Sequence, residues 1–154
     1  LLVPGIYGMK NVKWLTRIEL VGEDAKGYWQ RRGWSDEAVI RSMSRIDFPA
    51  NGASVTGPVV RLGGIAFCGD RGVGGVEVST DNGRTWTAAS LKEPMSTLTW
   101  ALWTYDWQPV ARGDYHVAVR AVDQEGEIQI GTHRSSFPAG STGYHTITLR
   151  VTAL

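Results

Sequence analysis

Cysteine occurs once in these 154 residues, so no disulfide can form within the chain and the redox compartment stays open. Charge imbalance is missing as well: 16 Lys and Arg against 15 Asp and Glu leave a formal net charge of +1. Without a basic stripe or an acidic tail, nucleic acid is not expected as a partner. No apolar run approaches the length of a bilayer span, and the opening LLVPGIYG is broken by Pro4 and Gly5 before it could serve as a signal core. The chain begins at Leu1 rather than Met, which reads as a piece of something longer. Helical periodicity is scarce, and 19 glycines with 6 prolines point to many turns, so the class reads as all-β.

Chemistry is equally sparse. His116, His133 and His145 lie far apart, without the close spacing of zinc or iron ligands, and read as solvent-facing. The run from Gly69 to Gly75 lacks the Lys-Ser/Thr that completes a phosphate-binding loop, so it reads as a turn. Ser141 does not stand between a strand and a helix as a nucleophile elbow requires. Carboxylates are scattered, with no pair spaced for acid/base work. Cys68 ends the apolar run Ile65-Ala66-Phe67-Cys68 and reads as a buried structural thiol. This module by itself offers no active site.

What the chain does have is alternation. The stretch VEVSTDNGRTWTAA, residues 76 to 89, reads as a β-hairpin. Val76 and Val78 alternate with Glu77 and Ser79, Asp81-Asn82-Gly83 tolerates positive φ, Asp81 accepts bonds from turn N–H groups, and Trp86 offers surface to a core. Apolar runs at Val55, Val59 to Leu62 and Ile65 to Cys68 precede it, with Gly63-Gly64 as a bulge or bend. After it come the aromatic-rich Leu98 to Trp107, the strictly alternating Tyr115 to Val122, Ile128 and Ile130, a Gly/Ser/Pro-rich loop from Gly131 to Gly143, and a last strand carrying Ile147, Leu149 and Val151. About seven short strands over roughly 100 residues fit an immunoglobulin-like sandwich better than a barrel, although periodicity alone does not separate them. Upstream, VKWLTRIEL alternates as a further strand, with Trp14, Thr16, Ile18 and Leu20 on one face. Residues 22–50 form a looser connector that packs through Tyr28, Trp29 and Trp34, with Ser35 placed to cap a short helical turn. The loop Lys10-Asn11-Val12-Lys13 gathers two ammonium groups, an amide and backbone N–H groups, which suits an anionic ligand such as a phosphate or pterin; a solvated loop has the same composition.

These residues, in this order, resemble a known family. The hairpin, V-x-V-S-x-D-x-G-x-T-W-x-x-A after Gly74-Gly75, is similar to that of the C-terminal dimerisation domain of the sulfite oxidase family of molybdenum enzymes. Trp100 with Trp103, and the strand ending Arg120-Ala121-Val122-Asp123 before Gly126 and Gln129, resemble the same domain; KNVKWLTRIEL and GYWQRRGW resemble the segments that close the cofactor domain and follow it. The resemblance implies a tail of the molybdopterin-binding domain at 1–21, a connector at 22–50 and an immunoglobulin-like dimerisation domain at 51–154. It implies a parent enzyme passing oxygen to or from a small substrate, a homodimer, and an extracytoplasmic setting, periplasmic in a bacterium. Mo-molybdopterin would belong to the full-length enzyme, with none retained by this chain, which is not expected to be catalytically competent alone. Carried over by position, Asn11, Val12 and Lys13 become pterin contacts and Trp34 a wall of the substrate pocket. Trp34 stands where sulfite oxidases carry Tyr, so a phenol that bonds an oxyanion has become an indole with only an N–H donor, which argues against sulfite itself. Cys68 does not inherit the molybdenum-ligating role, and Arg134 is not carried over, because the spacing differs. Two other readings compete. The hairpin reads literally as an Asp-box, which a propeller would repeat at blade spacing and this chain has once. A non-catalytic sandwich could instead bind carbohydrate or protein through exposed aromatics among Trp100, Trp103 and Trp107.

Overall fold

The computed structural model describes residues 1–154. Its nine strands are β1 (Met43–Phe48), β2 (Ser54–Thr56), β3 (Val60–Phe67), β4 (Val73–Ser79), β5 (Thr87–Ala88), β6 (Ser90–Leu91), β7 (Ala101–Trp107), β8 (Gly113–Asp123) and β9 (His145–Ala153). One sheet runs β1-β3-β7-β6 and the other β2-β9-β8-β4-β5. All neighbours are antiparallel except β2 and β9, where Val55 pairs with Val151 in parallel. The result is an all-β, immunoglobulin-like sandwich.

Alternation drives this arrangement. Along β8, Val117, Val119 and Ala121 are buried, and they meet Val76 and Val78 of β4 and Ile147, Leu149 and Val151 of β9. Leu62 and Ala66 of β3, with Trp103 and Trp107 of β7, close the core from the other sheet. Each large apolar side chain so buried stabilises the fold by about 1.5–3 kcal/mol. Cys68 is fully buried among them, and that burial pushes its thiol up from its ordinary value. It is a core residue, as its apolar run implied.

The hairpin forms between β4 and β5, with Glu77 opposite Ala88 and Val78 opposite Thr87. Asn82 and Gly83 take positive φ, 63° and 80°. The Asp81 carboxylate accepts from Thr85 Oγ1 (2.6 Å), Ser79 Oγ (2.8 Å) and the backbone N–H groups of Thr85 (2.9 Å) and Arg84 (3.0 Å). These donors, Thr85 foremost, hold it far below the usual carboxylate range. Trp86 does not enter the core. Its ring lies half-buried over the guanidinium of Arg120, 4.2 Å from the centroid, and edge-on to Tyr144. The short β5 begins only at Thr87, so residue 86 is free to lay its indole on the outer face of the sheet.

Several sequence expectations are corrected. Residues 12–20 form no strand: Trp14, Ile18 and Leu20 are exposed, and no other strand lies beside them to complete a ladder. The segment read as a connector contains β1, whose Ser44 and Ile46 face the core, so the sandwich takes in residues before 51. One bulge between Ile46 and Phe48 breaks the strand's period and hid it from a period-2 reading. Gly63 and Gly64 sit opposite that bulge rather than forming it: a Cβ at Gly64 would fall on the Arg45 carbonyl. Ser35 Oγ accepts from Ala38 N–H (3.2 Å), but no helical turn follows, and the short 3-10 turn lies earlier, at Gln30–Arg32. His145 is half-buried rather than solvent-facing, with Nδ1 accepting the Ile46 N–H (3.1 Å). Through that bond β1 reaches from its own sheet to β9 of the other.

Candidate functional site

Three segments converge beside the sandwich. Residues 5–7 run alongside 38–40, with Tyr7 N–H donating to the Ala38 carbonyl (2.9 Å) and Ile40 N–H to that of Gly5 (3.0 Å). The 131–143 loop clasps the same strip: the Pro138 carbonyl accepts from Ser35 N–H (2.9 Å) and Tyr7 Oη (3.3 Å), and the Ala139 carbonyl from Arg41 Nε (3.2 Å). Nothing periodic in 131–143 announces this role. The loop was legible only as a Gly/Ser/Pro-rich connection, because such clamps use backbone carbonyls that any residue supplies.

The loop at 10–13 hangs from this junction. Asn11 Oδ1 accepts the Val3 N–H (2.8 Å) and its Nδ2 donates to the Ile6 carbonyl (3.4 Å), so the amide shapes the turn from within. Val12 is exposed, and its carbonyl accepts from the Leu1 amino group (2.8 Å). Lys10 pairs with Asp36 (3.0 Å), and Lys26 bonds the same carboxylate from the other side. Asp36 is held below its ordinary value by its bonds from Lys26 and then Lys10, and Lys26 is raised by Asp24 and Asp36. Lys13 is exposed and stands outside every ion pair of the chain. What the loop presents outward is thus one uncompensated ammonium beside exposed backbone, a fit for one edge of an anionic group.

Trp34 lies two residues before Asp36, so the Lys10–Asp36 pair brings its segment against the 10–13 loop. Its indole is half-buried between Phe137 (centroids 5.4 Å apart, 89°) and Trp29 (6.4 Å, 73°), each edge-on. Such contacts are worth about 0.5–1.5 kcal/mol each beyond area burial, and they hold the ring in one orientation. Phe137 was not foreseen. An aromatic inside a polar loop carries no periodic signal.

The other motif residues are structural pins. Asp123 is buried; its Oδ1 accepts from Glu127 N–H (2.8 Å) and Glu125 N–H (3.1 Å), and its Oδ2 from Arg71 Nε (2.9 Å). Burial pushes this carboxyl up, but the Glu127 N–H and Arg71 outweigh it and leave the group below its ordinary value. Gln129, also buried, accepts from Ser44 Oγ (2.7 Å) and Ala121 N–H (3.0 Å) and donates to the Gly143 carbonyl (2.7 Å). No group of three or more His, Cys, Asp or Glu side chains gathers anywhere in the chain. The sugar-binding alternative is not supported. Trp103 is 1% exposed and donates Nε1–H to the Ile65 carbonyl, Trp107 is buried against Tyr115, and Trp100 alone is open, so no aromatic platform exists.

The family model described as the Mo-co oxidoreductase dimerisation domain matches residues 38–149. The chain belongs to this family. A second model, the oxidoreductase molybdopterin binding domain, matches residues 1–29 of this Mo-co dimerisation chain. Among curated relatives, mitochondrial sulfite oxidase of Homo sapiens is 29% identical over 154 residues, covering 85% of this chain and 28% of that protein. Sulfite oxidase of Arabidopsis thaliana is 24% identical over 180 residues, covering 97% of this chain and 46% of that protein. The chain therefore spans less than half the length of either relative. Among solved structures, the sulfane dehydrogenase SoxCD of Paracoccus pantotrophus shares the fold, with a TM-score of 0.58 and 21% identity over 71% of this chain and 30% of that one. No helix of the chain is long and apolar enough to cross a membrane.

Proposed function

We propose that this chain is the dimerisation portion of a sulfite-oxidase-like molybdopterin oxidoreductase and supplies one edge of that enzyme's cofactor site. The observation that supports it most is the order of the two family matches, molybdopterin domain at 1–29 and dimerisation domain at 38–149, meeting at the junction where loop 10–13 and Trp34 come together. On this reading residues 1–21 are the tail of the cofactor domain and 22–42 lead into the sandwich, which starts with β1. The exposed Trp14, Ile18 and Leu20 then face the molybdopterin domain of the same polypeptide, and two such polypeptides form a homodimer. An extracytoplasmic location, periplasmic in a bacterium, belongs to the same proposal.

When bound, the molybdenum-pterin group supplies two-electron oxygen-atom transfer to or from a small substrate. The residues of this chain do other work. Lys13 places positive charge against the anionic group, the exposed backbone at Val12 adds polar contact, and Asn11 holds the turn that presents both. Trp34, fixed by Phe137 and Trp29, walls the substrate pocket and offers a single N–H donor, which disfavours sulfite relative to a smaller or less charged substrate.

The test is metal analysis. Full-length protein should carry stoichiometric molybdenum, Lys13→Glu should lower its occupancy while leaving the sandwich folded, and residues 1–154 alone should carry none. A full-length protein without molybdenum, or a gene encoding no cysteine-bearing cofactor domain ahead of this region, refutes the proposal.

A further inference from the structure

Between the ends of β4 and β7 and the start of β8 lies an open groove of about 470 Å³, bordered by Asp81, Tyr105, Asp106, Trp107, Val110 and Tyr115. Strand register puts it at the pole opposite the connector: Val60 pairs with Trp107 at this end of β3, whereas Met43, where the connector enters the sandwich, pairs with Phe67 at the other. Tyr105 and Trp107 both turn toward the core, as every second residue of β7 does. Trp107 is buried and edge-on to Tyr115 with centroids 4.7 Å apart, while Tyr105 and Tyr115 stay half-buried and give the groove an aromatic wall. At the lip Val110 is 87% exposed.

The charge of this groove is one-sided. No Lys, Arg or His borders it. Asp106 is already compensated by Arg61, which donates to both of its oxygens (2.7 and 2.8 Å). Asp81 is not: it stands outside every ion pair of the chain, and Arg84 gives it only a backbone N–H. Three of its four donors fall on Oδ1, which leaves Oδ2 with Thr85 Oγ1 alone and an acceptor position open. The same donors hold its carboxyl far below the usual range, so the charge persists at neutral and mildly acidic pH. A fixed negative charge beside aromatic rings attracts a cation and repels an anion.

We infer that this groove binds a small aliphatic amine, with its ammonium on Asp81 and its methylene stem along Tyr105, Tyr115 and Val110. The chemistry of the lining selects that class. A hard metal ion takes about six oxygen ligands, and here a single carboxylate is uncompensated, with no group of three His, Cys, Asp or Glu side chains near it. A sugar needs an open ring to lie on, and Trp107, the largest ring present, is buried. An alkylammonium uses what the groove offers: a carboxylate oxygen for its N–H groups, aromatic rings for its charge, and half-buried apolar surface for its stem. The hairpin turn, whose donors fix Asp81 in place, then does more than reverse the chain. The site lies apart from the proposed cofactor edge and does not depend on it.

Calorimetric titration of the full-length protein with 1,4-diaminobutane, against uncharged 1,4-butanediol, tests the site. Ionic strength is held constant, because salt screens an exposed ion pair. The diamine should bind saturably at one per chain, and the diol should not bind. Asp81→Asn removes the charge and keeps an amide oxygen for the turn. Val110→Lys sets a competing ammonium on the exposed lip and leaves the hairpin untouched, so it remains decisive even if Asp81→Asn loosens the fold. Each should weaken the diamine at least about five-fold, with molybdenum content unchanged, so that failure here leaves the proposed function standing. No saturable binding to the wild type, equal binding of the diol, or diamine binding that survives either substitution overturns the inference.

Discussion

Substituting Gln129 tests whether the sandwich is held together as the hydrogen bonds indicate. In Gln129→Leu the side-chain volume is nearly kept and three bonds disappear. Ser44 is not stranded, because its hydroxyl proton turns to the Val119 carbonyl 3.1 Å away. Ala121 N–H has no such recourse, since Ala121 is fully buried near the end of β8, past the last pair with β9, and an orphaned buried donor costs about 1–3 kcal/mol. The lost bond to the Gly143 carbonyl adds about 1 kcal/mol. The expected loss is therefore about 2–4 kcal/mol, a large part of the roughly 5–15 kcal/mol that holds a domain of this size. Urea unfolding followed by far-UV circular dichroism measures it. Hydrogen exchange should also quicken across 131–143, which Gln129 ties down at Gly143. Gln129→Glu should be worse at neutral pH, since it buries a carboxylate that cannot donate to Gly143, and should recover as pH falls and the acid gains a proton. A loss for Gln129→Leu within about 0.5 kcal/mol, the range of an ordinary surface change, would refute the reasoning.

Two further outcomes follow from the same geometry. Asp123 is held below its ordinary carboxylate value in the folded state, so its contribution is fully present above the ordinary range and is lost as pH falls through the lower folded value; Asp123→Asn should cost about 2 kcal/mol at neutral pH and flatten the acid limb of a stability-against-pH curve, and an unchanged acid limb would count against it. Gly64→Ala places a methyl on the Arg45 carbonyl and should cost at least about 3 kcal/mol, while Gly8→Ala, with nothing near its Cβ, should stay within about 0.5 kcal/mol, both read as shifts in the urea midpoint.

The sandwich was legible wherever one face of a strand is wet and the other dry. Tyr115 to Val122 and Ile147 to Val151 alternate without interruption, and they became the paired β8 and β9. β1 was not legible, because its bulge resets the alternation and Gly63 and Gly64 give no side chain to read across from it. The candidate site divides the same way. Loop 10–13 could be named from its lysines and amide, but that Asn11 is engaged inside the turn, that Lys10 is neutralised by Asp36, and that Lys13 alone is left uncompensated depend on residues 8 to 26 positions away. Trp34 could be named too, but not the Phe137 that fixes it from 103 positions along the chain.

By itself the sequence determined the class, the hairpin and the buried thiol, since each depends on spacing within one short segment. VEVSTDNGRTW carries its turn geometry locally: Asp81 finds all its donors within four residues, in any fold that admits the hairpin. Only the tertiary structure decided that Trp86 lies on the outer face over Arg120 and that the VKWLTRIEL alternation has no partner strand. The physical reason is common to both. An alternating pattern separates two faces of a strand, but which face is covered, and by what, is settled by strands that meet through contacts distant in sequence.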